Sequence, residues 1–255
     1  EFCEDELGSF PIINWHDSMR DYGCDKPDLR IPLKLIEISE LVKDEEFKVF
    51  AEPAKDSNSR VVALKIPGGN SLSRGQIDDY TNFVTKLGAK GLAYIKVNDK
   101  SDIKNGLQSP ILKFLKNETI SSLISDLDLE NDDLLFFGAG KKSVVNLSMS
   151  SLIKKIGEDL SLYQMKWAPC WVVNFPMFER NTDGDLTSLH HPFTLPDCCS
   201  SELKASPEKS LAHAYDVVLN GYEIGGGSLR VFDTEMQKTI FEILKITKEE
   251  AENKF

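Results

Sequence analysis

Apolar residues recur three and four positions apart between residues 73 and 91, which predicts an amphipathic helix. Ser73 is expected to cap the first turn of this helix, and Gln76 three residues later would complete a capping box. Glycines at the far end, Gly88 and Gly91, are expected to terminate it. The apolar positions that define its buried side are Ile77, Tyr80, Phe83, Val84 and Leu87.

Short apolar runs on either side of this helix predict a compact α/β unit over about residues 43–146. Runs rich in β-branched and aromatic residues predict strands, and longer runs with polar interruptions predict short helices. The predicted strands are 47–52, 60–69, 92–97 and 133–140, and the predicted helices are 110–115 and 118–127.

The two flanking regions have a different pattern. Residues 1–42 hold a short apolar run at 10–15, a predicted helix at 16–23 and a stretch that Pro27 and Pro32 should keep extended or turned. Residues 147–255 begin with a predicted helix at 148–163 and end with one at 233–245 and a charged helical tail. Between these helices the pattern predicts two hairpins, which pair 168–175 with 186–193 and 212–219 with 222–227.

The second hairpin has the clearest signal, because Asn220-Gly221 between two apolar runs is typical of a tight two-residue turn. A regular register would pair Leu219 with Tyr222, Val218 with Glu223, Val217 with Ile224 and Asp216 with Gly225. Alternation then places Tyr215, Val217, Leu219, Tyr222 and Ile224 on one face, which we predict to be the core face. The other face would carry Asp216, Val218, Glu223, Gly225 and Gly227.

That second face brings two carboxylates together. Asp216 and Glu223 would be diagonal neighbours about 7–8 Å apart at the backbone, close enough for both to reach one hard cation such as Mg²⁺. The glycines beside them leave room for a ligand lying flat on the sheet. We further predict a β-bulge at Gly225–Gly227, because an inserted residue would turn Arg230 toward the acids. The alternative is a solvated acid pair beside a simple bend.

The composition and charge of the chain limit the classes of protein to which it can belong. With 41% hydrophobic and 28% charged residues, the chain resembles a soluble globular protein, and it has no apolar run of membrane-spanning length. Its net charge of −11 is unlike that of a typical nucleic-acid binder. The five cysteines include no CxxC pair, so we expect reduced thiols rather than a zinc site. No secretory signal is evident, and the absence of an initial Met suggests a piece of a longer chain.

One further motif resembles a phosphate-binding loop without meeting its requirements. In the segment 134–143 the lysine after the glycine is Lys141, but Leu135 stands where the first glycine of a P-loop is needed. Lys142 replaces the hydroxyl residue that should follow. A strand-to-helix turn is therefore favoured, with nucleotide binding here kept as a minor alternative.

Several stretches resemble bacterial-type aspartyl-tRNA synthetase, a class II enzyme, in this order along essentially all 255 residues. The stretches that resemble its catalytic domain are YGCDKPDLR, WVVNFPMFE, HHPFT and AHAYDVVLNGYEIGGGSLR. The stretches that resemble the GAD domain inserted in the bacterial type are RVVALKIPGG, GAKGLAYIKV and LLFFGAG. The resemblance implies an α+β fold. Residues 1–42 and 147–255 would belong to the antiparallel catalytic domain, and residues 43–146 would be the inserted GAD domain.

The resemblance also implies an activity and a site. Such an enzyme joins L-aspartate to ATP, with Mg²⁺, to form aspartyl-adenylate, and then transfers the aspartyl group to tRNA. Glu223 resembles the residue that contacts ATP and Mg²⁺, with Asp216 as its partner at the metal. Arg230 resembles the arginine that binds the side-chain carboxylate of aspartate, a task that suits a planar, two-pronged donor. His190 resembles the histidine near the bound amino acid. We expect His191 to point the other way and to be structural.

The resemblance sets limits as well. Motifs 1, 2 and 3 and the anticodon-binding barrel are not found in these residues, so we expect a fragment that is inactive alone. The full-length enzyme would be a cytoplasmic homodimer that charges the aspartate tRNA or also the asparagine tRNA. A different class of function, a GAD-type module that contacts tRNA or a partner protein, remains the alternative. Lysines that could serve it are Lys141, Lys142, Lys154 and Lys155, although such pairs are more often solvated.

Overall fold

The computed structural model describes residues 7–181 and 183–254. The chain divides into two compact units. The terminal unit combines the residues up to Ser18, the segment Asp25–Leu29 and the chain from Trp167 onward, and the middle unit combines Met19–Cys24 and Arg30–Lys166. No helix in the described part of the chain combines the length and the apolar character that a bilayer crossing requires.

The helices and strands follow one another in mixed order. In the first part of the chain they are β1 (Ile12–Asn14), α1 (Trp15–Asp21), β2 (Leu35–Glu37), α2 (Ser39–Val42), α3 (Lys48–Lys55), β3 (Ser59–Ile66), α4 (Arg74–Lys86), β4 (Ala93–Val97), β5 (Leu107–Gln108), α5 (Asn117–Asp126), β6 (Leu134–Lys141) and α6 (Lys142–Asp159). The remaining ones are β7 (Pro169–Pro176), β8 (Phe178–Arg180), β9 (Leu186–Ser188), α7 (Ser200–Ala205), β10 (Leu211–Leu219), β11 (Tyr222–Ser228), α8 (Thr234–Ile243) and α9 (Lys248–Lys254).

The middle unit is built on a sheet of order β2-β3-β6-β4-β5, with every neighbouring pair antiparallel. Strand β3 is buried on both faces, since successive residues contribute to two different cores. Val62 and Leu64 pack with α4 and α6, whereas Val61 and Ala63 pack with α3 and α5. The unit is therefore a sheet between two helical layers, and the predicted capping box of Ser73 and Gln76 is confirmed at the start of α4.

Two predictions for the middle of the chain are wrong, and one strand was missed. Residues 48–52 lie in helix α3 rather than in a strand, with Phe50 buried against the sheet and Val49 exposed. A six-residue apolar run fits either structure, and only the packing decides which one forms. Strand β2 was not predicted, and α6 begins six residues before the predicted helix at 148.

The terminal unit contains a sheet of order β1-β7-β10-β11. β1 lies parallel to β7, and β10 runs antiparallel to both β7 and β11. Its core is formed by Val172, Ala214 and Val218 of this sheet together with Leu203 of α7 and Ile240 of α8.

The first predicted hairpin is wrong in its pairing. β7 joins the main sheet, and the loop with Asp183-Gly184 instead connects the short strands β8 and β9. His190 and His191 therefore lie beyond β9, outside regular strand structure.

Candidate functional site

The β10–β11 hairpin forms the predicted tight turn. Asn220 and Gly221 have φ values of 54° and 82°, the left-handed conformation that a type I′ turn requires at both central residues. Leu219 pairs with Tyr222 and Val218 pairs with Glu223, as the sequence predicted. Local turn chemistry alone therefore sets the start of the register.

The predicted bulge is present, but it lies one residue earlier than expected. After the Val218–Glu223 pair the next pair is Val217–Gly225, so that Ile224 is the additional residue. Asp216 consequently lies opposite Gly226 rather than Gly225. The inserted residue reverses the alternation of everything that follows it. Ser228 pairs with Ala214 on the face that carries Asp216, and Arg230 follows two residues after the end of β11.

The predicted core face of the hairpin is wrong. Tyr215 is 44% exposed, Tyr222 73% and Ile224 60%, whereas the residues of β10 on the opposite face are buried. The buried residues are Ala212, Ala214, Asp216 and Val218. Residues of α7 and α8 form one hydrophobic core with Ala212, Ala214 and Val218 of this face. Asp216 therefore lies on a face that borders an apolar interior.

The glycines of the run have distinct roles. A Cβ atom on Gly226 would clash with Oδ1 of Asp216 and would lie 3.4 Å from Oε1 of Glu223. Both predicted carboxylates therefore lie over this one residue. A Cβ atom on Gly227 would lie 2.6 Å from the Tyr215 hydroxyl oxygen, on the opposite face, while one on Gly225 would meet nothing within 4 Å. The space expected for a ligand is thus partly filled by the side chains of Asp216 and Tyr215.

Asp216 is a buried acid without a neutralising contact. It is 7% exposed, and its carboxylate makes no hydrogen bond or ion pair with any residue that the structure describes. Burial raises the pKa of this carboxyl to about 6, with further contributions from the negative charges of Glu223 and Asp25, while the positive charge of Lys26 opposes the change. A carboxylate in this state is suited to receive a cation or a proton.

Glu223 has a cationic partner that the sequence did not reveal. Nζ of Lys26 lies 3.0 Å from Oε2 of Glu223, and this hydrogen bond is the main cause of the raised pKa of Lys26. Asp25 and Asp216 raise that pKa further through their negative charge. Lys26 belongs to the stretch YGCDKPDLR that carried the resemblance, but no feature of that stretch indicated contact with the hairpin.

Arg230 lies two residues after the end of β11 and contacts His191, the histidine predicted to be structural. One of its terminal nitrogens is 2.9 Å from Nδ1 of His191, and the hydroxyl of Ser228 is 3.5 Å from Nε2 of the same ring. The expectation that His191 points away assumed an extended strand, which residues 189–193 do not form. No acidic side chain pairs with Arg230 within the described residues.

His190 is held by an aromatic contact. Its ring packs edge-on against Phe175, with 4.8 Å between ring centroids. Burial lowers the pKa of His190, while the negative charges of Glu223 and Asp25 oppose that change. The effect of these acids on its pKa indicates that His190 lies near Glu223, another of the predicted binding residues.

The donor set can be compared with what Mg²⁺ requires. Mg²⁺ commonly uses one or two carboxylates and completes its octahedron with water and substrate phosphates. The converging oxygens of Asp216 and Glu223 fit this pattern. In the described part of the chain no three His, Cys, Asp or Glu residues form a metal-binding cluster, so the protein does not supply a complete cage.

The other motifs of the sequence carry no comparable arrangement. β6 runs directly into α6 without a loop, and the Cβ position of Gly138 is filled by Met149, so the segment 134–143 cannot wrap a phosphate. Lys142 and Lys154 are separated by about 18 Å along α6 at 1.5 Å per residue, too far for one compact patch. Cys24, Cys170, Cys198 and Cys199 form no disulfide, and Cys3 lies outside the described residues.

Comparison with known protein families gives an independent result for the middle unit. Residues 50–149 match the GAD domain family. The matched residues span β3, α4, β4, β5, α5, β6, most of α3 and the first part of α6, so they cover every strand of the central sheet except β2. The middle unit of this chain therefore contains a GAD domain, a domain of aspartyl- and asparaginyl-tRNA synthetases.

Proposed function

We propose that this chain is part of an aspartate–tRNA ligase and that its terminal unit binds L-aspartate and ATP. The observation that supports this proposal best is the bulge at Ile224, because it turns Ser228, two residues before Arg230, toward the face that carries Asp216. The acidic side chain of the amino acid needs a cation, and the metal ion bound to ATP needs acids, at separate ends of one site. The GAD match in the middle unit supports the same enzyme class.

Each group has a defined task in this proposal. Arg230 offers nitrogen donors to the side-chain carboxylate of aspartate, and a carboxamide substrate would pair poorly with its charge. His190, whose pKa is lowered by burial, lies beside the amino acid as a neutral ring at pH 7. Asp216 and Glu223 would hold Mg²⁺, which would neutralise the phosphates of ATP. Lys26 keeps Glu223 in place and adds positive charge near those phosphates.

The proposed reaction has two steps. The α-carboxylate of aspartate attacks the α-phosphate of ATP, which forms aspartyl-adenylate and releases pyrophosphate. The terminal adenosine of tRNA then takes the aspartyl group, and AMP leaves. Residues of this chain position aspartate and balance the charge of the phosphates. The resemblance assigns further arginines of the ATP site to motifs 2 and 3, which are not among these 255 residues.

Binding of adenylate analogues tests this function. Calorimetry would measure a non-hydrolysable aspartyl-adenylate analogue and its asparaginyl counterpart, each with and without Mg²⁺. We expect the protein to prefer the aspartyl analogue and Mg²⁺ to strengthen binding. The Arg230→Gln variant should bind the aspartyl analogue about 10- to 100-fold more weakly, which is the contribution of a hydrogen bond to a charged group. It should also lose the preference for the aspartyl over the asparaginyl analogue. His213→Gln is the matched control, because His213 pairs with Asp197 and is exposed. Equal binding of both analogues by the unmodified protein would contradict the proposal.

A second function rests on the middle unit. This unit has two hydrophobic cores of its own and contains the whole GAD match, so it could bind tRNA or a protein partner independently of the ligase site. Titration with tRNA at several salt concentrations would test this alternative. Salt-sensitive binding that persists in Arg230→Gln and Glu223→Gln would favour the binding module.

A further inference from the structure

Nδ1 of His191 is surrounded by hydrogen-bond donors. The backbone N–H of Phe193 donates to it at 3.1 Å, and a guanidinium nitrogen of Arg230 approaches to 2.9 Å. A backbone amide and an arginine can only donate, so Nδ1 must carry a lone pair. The proton of the neutral ring is therefore on Nε2, which faces the hydroxyl of Ser228 at 3.5 Å. These contacts require the neutral ring in one tautomer.

The backbone around this contact is fixed on both sides. Thr194 and Arg230 form an antiparallel bridge. The N–H of Val231 donates to the carbonyl of Phe193, and the N–H of Leu195 donates to the carbonyl of Leu229, both at 2.9 Å. The turn that carries His191 therefore leads directly into backbone pairing beside the end of β11. This pairing begins two residues after His191 and includes Arg230 itself.

Arg230 keeps unused donors in this arrangement. His191 occupies one terminal nitrogen, and within the described residues the other guanidinium nitrogens have no hydrogen-bonded acceptor. A side chain of this length loses several rotamers when it is held in one place. A neutral acceptor on one corner of the guanidinium can restrain it without neutralising its charge, which an aspartate or glutamate in the same position would do.

We propose that His191 is a positioning residue that holds the guanidinium of Arg230 for a carboxylate ligand. The ligand class is a small dicarboxylate such as aspartate, and in this respect the inference rests on the proposed function. Protonation of His191 would place an N–H opposite the guanidinium and would end the contact. The charged or titratable groups that act on this ring are Arg230 and His190, and both disfavour its protonation, as burial does. Ligand binding should therefore weaken as His191 becomes protonated at acidic pH.

The first experiment needs no ligand. The sequence contains four histidines, so a long-range ¹H–¹⁵N spectrum can resolve each ring. We expect His191 at pH 7.5 to show the neutral form protonated on Nε2, and Arg230→Gln to shift its Nδ1 resonance. The heteronuclear NOE of the Arg230 Nε–H should fall in His191→Leu and stay near the original value in His191→Gln, whose amide oxygen can accept the same bond. An unchanged NOE in His191→Leu would overturn the proposal.

The second experiment measures L-aspartate and L-asparagine binding by NMR titration. His191→Leu should bind L-aspartate about tenfold more weakly, whereas His191→Gln should stay within about threefold, and the binding of L-asparagine should change little. Toward acidic pH the His191→Gln protein should show a flatter affinity profile than the unmodified one, because glutamine does not titrate. His213→Gln serves as the control.

The outcomes separate the two proposals. Failure of the unmodified protein to bind L-aspartate would count against the proposed function, while the NOE result would still decide the role of His191. Equal L-aspartate affinity in the unmodified protein and His191→Leu would overturn the positioning role even if the proposed function holds.

Discussion

Asp216→Asn should stabilise the terminal unit at neutral pH. The carboxylate of Asp216 is 7% exposed, lies over Gly226 beside Glu223, and has no hydrogen bond or ion pair from the described residues. An ionised group in this position is costly because it leaves water without gaining a partner. Asparagine has nearly the same shape and carries no charge, so it removes the cost of ionisation and keeps the packing.

The size of the effect follows from the pKa. Burial and neighbouring acids raise the pKa of Asp216 from the reference value of 3.8 to about 6 in the folded protein. A shift of about two units at about 1.4 kcal/mol per unit corresponds to about 3 kcal/mol. Because the folded pKa is the higher one, this contribution to stability is complete below pH 3.8. It is lost as the pH rises through 6. The advantage of Asp216→Asn should therefore grow by about 2 kcal/mol between pH 4.5 and 7.5.

Urea unfolding followed by tryptophan fluorescence measures this difference. Trp15, Trp167 and Trp171, the tryptophans of the sequence, all belong to the terminal unit, so the signal reports the unit that contains Asp216. Free energies of unfolding would be compared at pH 4.5, 6 and 7.5 for the original protein and for Asp216→Asn. Asp183→Asn, an exposed acid in the loop between β8 and β9, is the matched control and should show no such trend.

The pH dependence of the stability difference can also contradict this account. An advantage of Asp216→Asn that is constant with pH, or that shrinks as the pH rises, would refute the assignment of a destabilising buried charge. The same variant should lose any Mg²⁺-dependent gain in binding the aspartyl-adenylate analogue, because one of the two proposed metal ligands is absent. A stability gain accompanied by a functional loss is the pattern expected of an acid kept for its chemistry.

Two further changes test the packing of each unit. Gly226→Ala should lower the free energy of unfolding by about 1–3 kcal/mol, because its Cβ atom would clash with Asp216, whereas Gly225→Ala faces open space and should be nearly neutral; equal urea midpoints for the two variants would contradict this account. In the middle unit Arg60 is 6% exposed and donates to Glu37, to Asn146 and to two backbone carbonyls. Thermal unfolding should therefore show that Arg60→Met lowers the free energy of unfolding by about 3–5 kcal/mol. The control Arg74→Met, on the exposed side of α4, should lower it by less than about 0.5 kcal/mol.

Features governed by neighbouring residues could be predicted from the sequence. The Asn220-Gly221 turn forms because these two residues tolerate positive φ, and the cap of α4 forms because Ser73 and Gln76 satisfy backbone donors within one turn. For the turn and the cap the energetic reason lies within a few residues of the chain. The strand at 60–66 could be predicted from its continuous apolar run, which is buried in two cores.

The contacts of the candidate site could be predicted only in part. The hydrophobic pattern placed Asp216 and Glu223 on one face, and the tight turn that achieves this is present. It could not place Lys26 beside Glu223, because about two hundred residues of chain separate them. Nor could it direct His191 toward Arg230, since the side on which a residue lies is set by alternation only while a regular strand continues.

The sequence by itself thus determined which positions of the hairpin alternate, where the chain reverses, and which charged groups are available. Tertiary structure decided which of the two hairpin faces is buried and at which residue the register shifts. The physical reason is that alternation fixes only which residues share a face. What covers that face depends on elements such as α7 and α8, whose residues join Ala214 and Val218 in the core and leave Tyr222 and Ile224 exposed.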